Sequence, residues 1–567
     1  MNFSSLGLIS LLCLVAVCAI GGSATAADES PETRAKRFVA HHETTVRPLE
    51  IEVGRCWWAA NISGSDADYR KKEAAELRLN LLLADPKTFS ELKAVKDSTG
   101  KLSDPVLQRQ IEVLYLQYLG NQLDPDLLKA IVAKANAVEK AFNNYRPKVD
   151  GKELTDNDVR QILRTSKDSK QRQAAWEASK GVGSVVEADL KALVKLRNES
   201  ARKLGYKDYH VMQLALAEQS QEQVLKLFDE LDALTRGPFR EAKAEIDAAL
   251  AKNCGIKVSE LRPWHYHDPF CQESPDVFGG DSEALFAKVD IQKVCREFYA
   301  GIGLPIDDVL KRSDLYAKKG KSPHAFCTDI DREGDVRVLA NIVADKMWLS
   351  TMLHELGHAV YSSKNMPQSL PYVLRSESHC LTTEGVAMMF ERFCDSAEWL
   401  EAMGVKVPAP KQFNAAAAKV RRNRLLIFSR WCQVMLRFEK ELYANPDQNL
   451  NDLWWTLVEK YQEVKRPAGR NAPDFGSKLH ICSAPVYYHN YQLGELFAAQ
   501  LHGAIVRDVL KRNDPATAVY VGNKAVGEFM RERVFFPGRG LDWNRLTRFA
   551  TGEDLTPQAF AAELRQK

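Results

Sequence analysis

Apolar residues recur at three- and four-residue spacing along most of the chain. Leu128, Ile131, Val132, Ala135, Val138 and Phe142 would line one helical face, and Leu107, Ile111, Leu114 and Tyr118 do the same one helix earlier. Asp124 offers an N-cap to the later helix, and Pro125 a residue suited to its first turn. Glu187, Lys191 and Lys195 repeat at helical spacing with charge instead, as a solvated face does. The helical pattern holds from Tyr69 to about Gly237. Between Gly255 and Ser282 it breaks in a loop carrying Pro263, Trp264, His265, Tyr266, His267, Pro269 and Phe270. So aromatic a loop must pack on something or line a groove. Phe326 to Ile330 and Val336 to Ile342 are strand-like, and Glu333-Gly334-Asp335 supplies a turn between them, which predicts a short β-hairpin. Helices resume at Lys346 and continue nearly to the end. The pattern predicts a mainly α fold and a single domain over residues 27–567, since no linker or internal repeat divides it.

Composition agrees. The chain has 567 residues, 45% hydrophobic, 27% charged and 9% aromatic, which excludes disorder, a collagen-like repeat and a disulfide mini-protein. Its 31 Gly and 23 Pro are few for this length, in keeping with helices. A net charge of +3, from 78 basic against 75 acidic residues, gives no footprint for nucleic acid.

The first residues read as a targeting segment. Leu6 to Ile20 is apolar apart from Gly7 and Ser10, and its unbroken part, Leu11 to Ile20, is too short to span a bilayer. Ala24-Thr25-Ala26 has the small-x-small form of a cleavage site, and Asp28-Glu29-Ser30 begins polar sequence. The expectation is a signal peptide over residues 1–26 and a secreted or periplasmic protein; the alternative is an N-terminal membrane anchor. No later stretch is apolar enough to cross a membrane. Cys13 and Cys18 would leave with the signal. The nine remaining cysteines are odd in number and lack CxxC spacing, so they build no zinc site and read mostly as core residues. Asn61-Ile62-Ser63 and Asn198-Glu199-Ser200 fit the glycosylation sequon, which matters only in a eukaryotic host.

The chemistry concentrates between residues 354 and 384. His354-Glu355-Leu356-Gly357-His358 is an HExxH motif, and on a helix two histidines four apart share a face and can reach one metal. Zinc lowers the pKa of a coordinated water, and Glu355 is spaced to take that water's proton and deliver it to a leaving amine. A third ligand is needed, and no histidine follows at metzincin spacing. Glu384, at the start of the apolar segment Leu381 to Phe390, is the candidate; a carboxylate there is otherwise costly to bury unless the helix N-terminus stabilises it. His379 is the rival. A second group lies from Lys478 to Tyr491, where His480, Tyr487, Tyr488 and Tyr491 could donate hydrogen bonds to an oxyanion or simply pack as core aromatics.

Together these segments resemble the angiotensin-converting-enzyme family of zinc peptidases. The resemblance is carried by His354 to His358, by Asn451-Asp452-Leu453-Trp454-Trp455 with Lys460-Tyr461-Gln462, and by Asp474-Phe475-Gly476-Ser477-Lys478-Leu479-His480. Ala325-Phe326-Cys327-Thr328-Asp329 and Val338-Leu339-Ala340-Asn341 are similar to the thimet oligopeptidase and oligoendopeptidase F group. The resemblance implies a two-lobed helical ellipsoid, split by a deep substrate channel with one zinc ion at its floor and the hairpin beside it. It implies His354, His358 and Glu384 as zinc ligands, Glu355 as base, and His480 and Tyr491 as transition-state donors, with Tyr488 in reserve for Tyr491. Lys478 and Tyr487, with Gln272 as a third contact, match the grip on a substrate's C-terminal carboxylate. His324 and Ala325 match the segment that pairs with substrate as an added strand.

Two features depart from the family. Met388 stands where the family has an Asp that orients a zinc-bound imidazole. His489 and Asn490 stand where it has a chloride-binding Arg, which argues against chloride activation. The expected activity is release of C-terminal dipeptides from short peptides by a monomer. The alternatives are an oligopeptidase cutting inside peptides, and a peptide-binding homologue without catalysis.

Overall fold

The computed structural model describes residues 29–565 except 276, 278–282 and 363. The signal peptide expected over residues 1–26 therefore lies outside the described residues. The described residues are 69% helical and include two small antiparallel hairpins, which is the mainly α fold expected. Among the described residues no helix is long and apolar enough to cross a membrane.

Three long helices form the frame: Ser169–Lys203, Gln221–Cys254 and Pro410–Ala444. The first two start at side-chain caps, with Asp168 accepting from the Lys170 amide and Ser220 from that of Gln223. The third instead has proline in its first turn, where a missing N–H costs nothing. The aromatic loop after Cys254 packs on the first helix. Trp264 packs at a tilt against Trp176, whose Nε1 donates to the Pro269 carbonyl at 2.9 Å.

Apolar burial joins these elements into one large core running from Val138 to Leu564. A smaller core gathers Phe38, Leu92, Ile111, Leu114 and Tyr118 with Val373 and Leu374. The helix capped by Asp124 spans Pro125–Asn144, but its buried face is rotated from the expected one. Leu127 is buried, whereas Leu128 and Val132 stand exposed, because the helix meets Ser169–Lys203 through Ile131, Ala135, Val138 and Phe142. A second hairpin, Lys148–Val149 with Lys152–Glu153, interrupts the stretch expected to be wholly helical. Its turn, Asp150-Gly151, has both residues at positive φ, the conformation that Asp-Gly favours between short strands.

The expected hairpin pairs Phe326–Asp329 with Val336–Leu339. It packs on helix Lys346–Ser362, which crosses helix Cys380–Glu391, which in turn packs on helix His489–Asp508. Glycines permit these crossings. A Cβ on Gly357 would lie 2.8 Å from the Ala387 Cα, and one on Gly385 would lie 2.8 Å from the Gly494 carbonyl oxygen. The backbones therefore run close enough for short side chains of two helices to converge.

Candidate metal centre and active site

His354 and His358 project from one face of helix Lys346–Ser362, their Nε2 atoms 3.2 Å apart. Helix Cys380–Glu391 brings Glu384 Oε2 to 3.5 Å from the first Nε2 and 3.9 Å from the second. All three donor atoms lie within 4.8 Å of one another. Tetrahedral zinc, with bonds of about 2.0–2.1 Å, wants its donors about 3.3 Å apart, so two imidazoles and one carboxylate at this spacing fit the ion.

The outer ring nitrogens are also held. His354 Nδ1 meets Glu391 Oε2 at 2.7 Å, and His358 Nδ1 meets Thr383 Oγ1 at 2.7 Å. Such bonds fix ring orientation and leave Nε2 for a metal. Glu391 thus supplies the carboxylate that Met388 does not, from one turn further along the same helix. Sequence reasoning missed both partners, although Glu384 and Glu391 stand seven residues apart, two turns on one helix face. His379, the rival ligand, serves instead as an N-cap: its Nδ1 accepts from the Leu381 amide at 3.0 Å.

Burial and charge set the protonation of these groups. Burial lowers the His354 imidazole, but the carboxylates of Glu384 and Glu391 outweigh it and hold that ring well above its ordinary value. Burial likewise raises Glu384, and its bond to His354 more than reverses the shift. His358 is pulled down to about 4, first by burial and then by the neighbouring His354. Glu355, buried beside them, is pushed up to about 7 chiefly by burial, while a hydrogen bond from the Cys327 amide works the other way. That bond also ties the hairpin to the motif helix.

The triad and Glu355 line a cavity of about 700 Å³, walled by Ala325 and the Phe326–Asp329 strand on one side and by Tyr491 on another. The strand pairs only with Val336–Leu339, so its outer edge has no strand partner among the described residues. His324 is exposed just before it. Asp329 and Glu377, which sequence reasoning did not single out, face the same cavity; burial pushes Asp329 up to about 7, helped by the charge of Glu377.

The donor segment folds as a short helix, Leu479–Ser483, a turn, and helix His489–Asp508. His480 makes an edge contact with Tyr488 and lies 6.5 Å, ring to ring, from Tyr491. Burial lowers its imidazole to about 4, and its Nδ1 is buried without a hydrogen-bond partner among the described residues. Tyr487 and Tyr491 share a hydrogen bond between their hydroxyls. Lys478 is 8% exposed, and its ammonium donates to Gln272 Oε1 at 2.6 Å. The ring of Tyr488 lies 5.2 Å from that ammonium, alongside Phe270 and Trp431. The structure thus groups Lys478 with Gln272 and Tyr488, while Tyr487 turns towards Glu384, Cys380 and Tyr491. His489 Nε2 and Asn490 Oδ1 are each engaged by the side-chain amide of Gln219.

Comparison with known proteins places this geometry. A sequence model described as angiotensin-converting enzyme, peptidase family M2, matches residues 29–237, and one of peptidase family M3 matches residues 311–566. The chain is related to both peptidase groups. It is 20% identical over 506 residues to an angiotensin-converting enzyme of Theromyzon tessulatum, covering 82% of this chain and 81% of that protein. It is 24% identical over 255 residues to an angiotensin-converting enzyme-related protein of Drosophila melanogaster, covering 42% of this chain and 39% of that one. The two peptidase matches make the chain a metallopeptidase acting on peptides. Both families are zinc peptidases, and the His-His-Glu cluster lies inside the part matched by family M3.

Proposed function

We propose that the chain is a zinc-dependent peptidase that releases dipeptides from the C-termini of short peptides. His354, His358 and Glu384 would hold one zinc ion. Bound there, zinc supplies Lewis acidity, polarising the scissile carbonyl and acidifying water. Glu355 accepts the attacking water's proton and passes it to the leaving amine; a carboxylate raised to about 7 is matched to both transfers near neutral pH. Tyr491 and the neutral His480 donate hydrogen bonds where negative charge develops on the carbonyl oxygen. Substrate would lie along the free edge of Phe326–Asp329, with His324 and Ala325 extending the pairing.

The observation that carries the dipeptidase reading is the buried ammonium of Lys478. It is held by Gln272 and ringed by aromatics, and it is close enough to His480 to depress that ring. A cation with so little water around it binds a carboxylate strongly, and a fixed cation sets how far the chain end lies from the cut. Tyr488 is the tyrosine better placed beside it; Tyr487 supports Tyr491.

One observation favours the endopeptidase reading: the site lies in the part matched by family M3 rather than M2. Lys478→Met separates the two. Under the dipeptidase reading the variant loses its preference for a free-acid peptide over the matching C-terminal amide. Under the other, wild type and variant cut both peptides alike.

A further inference from the structure

We infer that Glu439 is a positioning residue for the catalytic tyrosine and histidine, acting through the backbone of Val486; its kinetic consequence rests on the peptidase reading above. Glu439 sits on helix Pro410–Ala444 and is 3% exposed. Its Oε1 accepts from the Val486 amide at 2.9 Å. Arg197 faces the carboxylate from helix Ser169–Lys203 and is itself bonded to the Tyr443 hydroxyl.

Val486 is the reason a hydrogen-bond acceptor is needed there. Its φ is +57°, and it is the one β-branched residue at positive φ among the described residues. Branching at Cβ makes that conformation strained, so it persists only where the surroundings hold it. The preceding Pro485 cannot donate to anything, and restricts Ala484 in turn. The Glu439 bond is therefore what secures the turn from within the core.

The turn matters because of what it joins. Helix Leu479–Ser483 carries His480, and helix His489–Asp508 carries Tyr491. If Val486 relaxed to negative φ, the path between them would change and the second helix would start in another register. A one-residue slip rotates a helical side chain by about 100°, which would turn Tyr491 out of the cavity. Glu439 lines no part of that cavity and touches no reacting atom. It sets the angle between Tyr491, which lines the cavity, and His480, whose ring lies 6.5 Å from that of Tyr491.

Two readouts test this. The first does not depend on activity: hydrogen exchange of segment 484–488 followed by mass spectrometry. Protection should be kept in Glu439→Gln, whose amide oxygen still accepts the bond, and lost in Glu439→Leu. Unchanged protection in Glu439→Leu overturns the inference, whether or not the protein is a peptidase. The second is kinetic, on zinc-loaded protein with zinc content and melting temperature checked. Glu439→Leu should lower kcat about tenfold with little change in KM, and Glu439→Gln should stay close to wild type. Val486→Gly added to Glu439→Leu should restore most of the loss, because glycine adopts φ +57° without strain. A general packing defect would not be rescued by that change, so absence of rescue counts against the inference. Should Glu439→Leu fail to fold, Val486→Pro removes both the amide and the positive φ with Glu439 in place. Full kcat in that variant refutes the positioning role. Inactive wild-type enzyme would sink the peptidase reading instead, with the exchange result still deciding this one.

Discussion

Removing the Glu391 carboxylate should weaken zinc binding without dismantling the fold. Its Oε2 sits 2.7 Å from His354 Nδ1, and it is the group that orients this ring. Partners of this kind are worth about 10- to 100-fold in metal affinity, or roughly 1.4–2.8 kcal/mol. Glu391 belongs near the upper end, for two reasons. It is buried, and its bond to the imidazole is charge-assisted, whereas the corresponding bond to His358 comes from the neutral hydroxyl of Thr383. Its other near partner, Arg424 at 3.5 Å, has a side chain 46% exposed, so water can take over there. Glu391→Ala should therefore raise the zinc dissociation constant by about 30- to 100-fold, and Thr383→Val by about tenfold. The assay is equilibrium competition with a fluorescent zinc chelator, circular dichroism confirming the fold of each variant. If Glu391→Ala binds zinc within about twofold of wild type, His354 is oriented by something else and the account of this helix face is wrong.

Three further outcomes follow from the same geometry. Glu355→Gln should keep its zinc and lose turnover by at least about 10²-fold, measured by metal analysis and peptide hydrolysis together; retained turnover would remove Glu355 from the chemistry. Lys478 is lowered to about 8, chiefly by burial, so it is charged below that pH and neutral above it. The kcat/KM ratio of free-acid to amidated peptide should accordingly fall about tenfold per unit above pH 8, and a ratio that stays flat to high pH would contradict the carboxylate grip. Gly385→Ala places a Cβ 2.7 Å from the Phe497 ring and 2.8 Å from a backbone oxygen, so helix Cys380–Glu391 must move. Overpacking of this kind costs about 1–3 kcal/mol, which a lowered melting temperature and weaker zinc binding would report.

Much of the site is readable without coordinates because its logic is local. Two histidines four apart and a glutamate between them need only a helix, and an acidic residue in an apolar helix invites a partner. The hairpin before the motif is legible for the same reason: alternation and an Asp/Gly-containing turn act over a few residues. What escapes depends on how helices cross. Glu391 is visible as an acid two turns from Glu384, yet only the close approach at Gly357 and Ala387 brings it to His354 rather than to solvent. Which tyrosine comes to lie beside Lys478 depends on the turn before helix His489–Asp508, whose positive φ falls on valine, a residue type rarely found there. Leu128 and Val132 fit an apolar stripe as well as Leu127 does, and only the neighbouring helix decides which of them is covered.

The zinc site and the carboxylate grip can be tested in one measurement. A free-acid decapeptide and its C-terminal amide are incubated with the protein, with and without a zinc chelator, and the products are identified by mass spectrometry. Stepwise loss of dipeptides from the free acid alone is expected, abolished by the chelator and restored by added zinc. Internal cuts in both peptides would contradict the grip, and cleavage indifferent to the chelator would contradict the metal site.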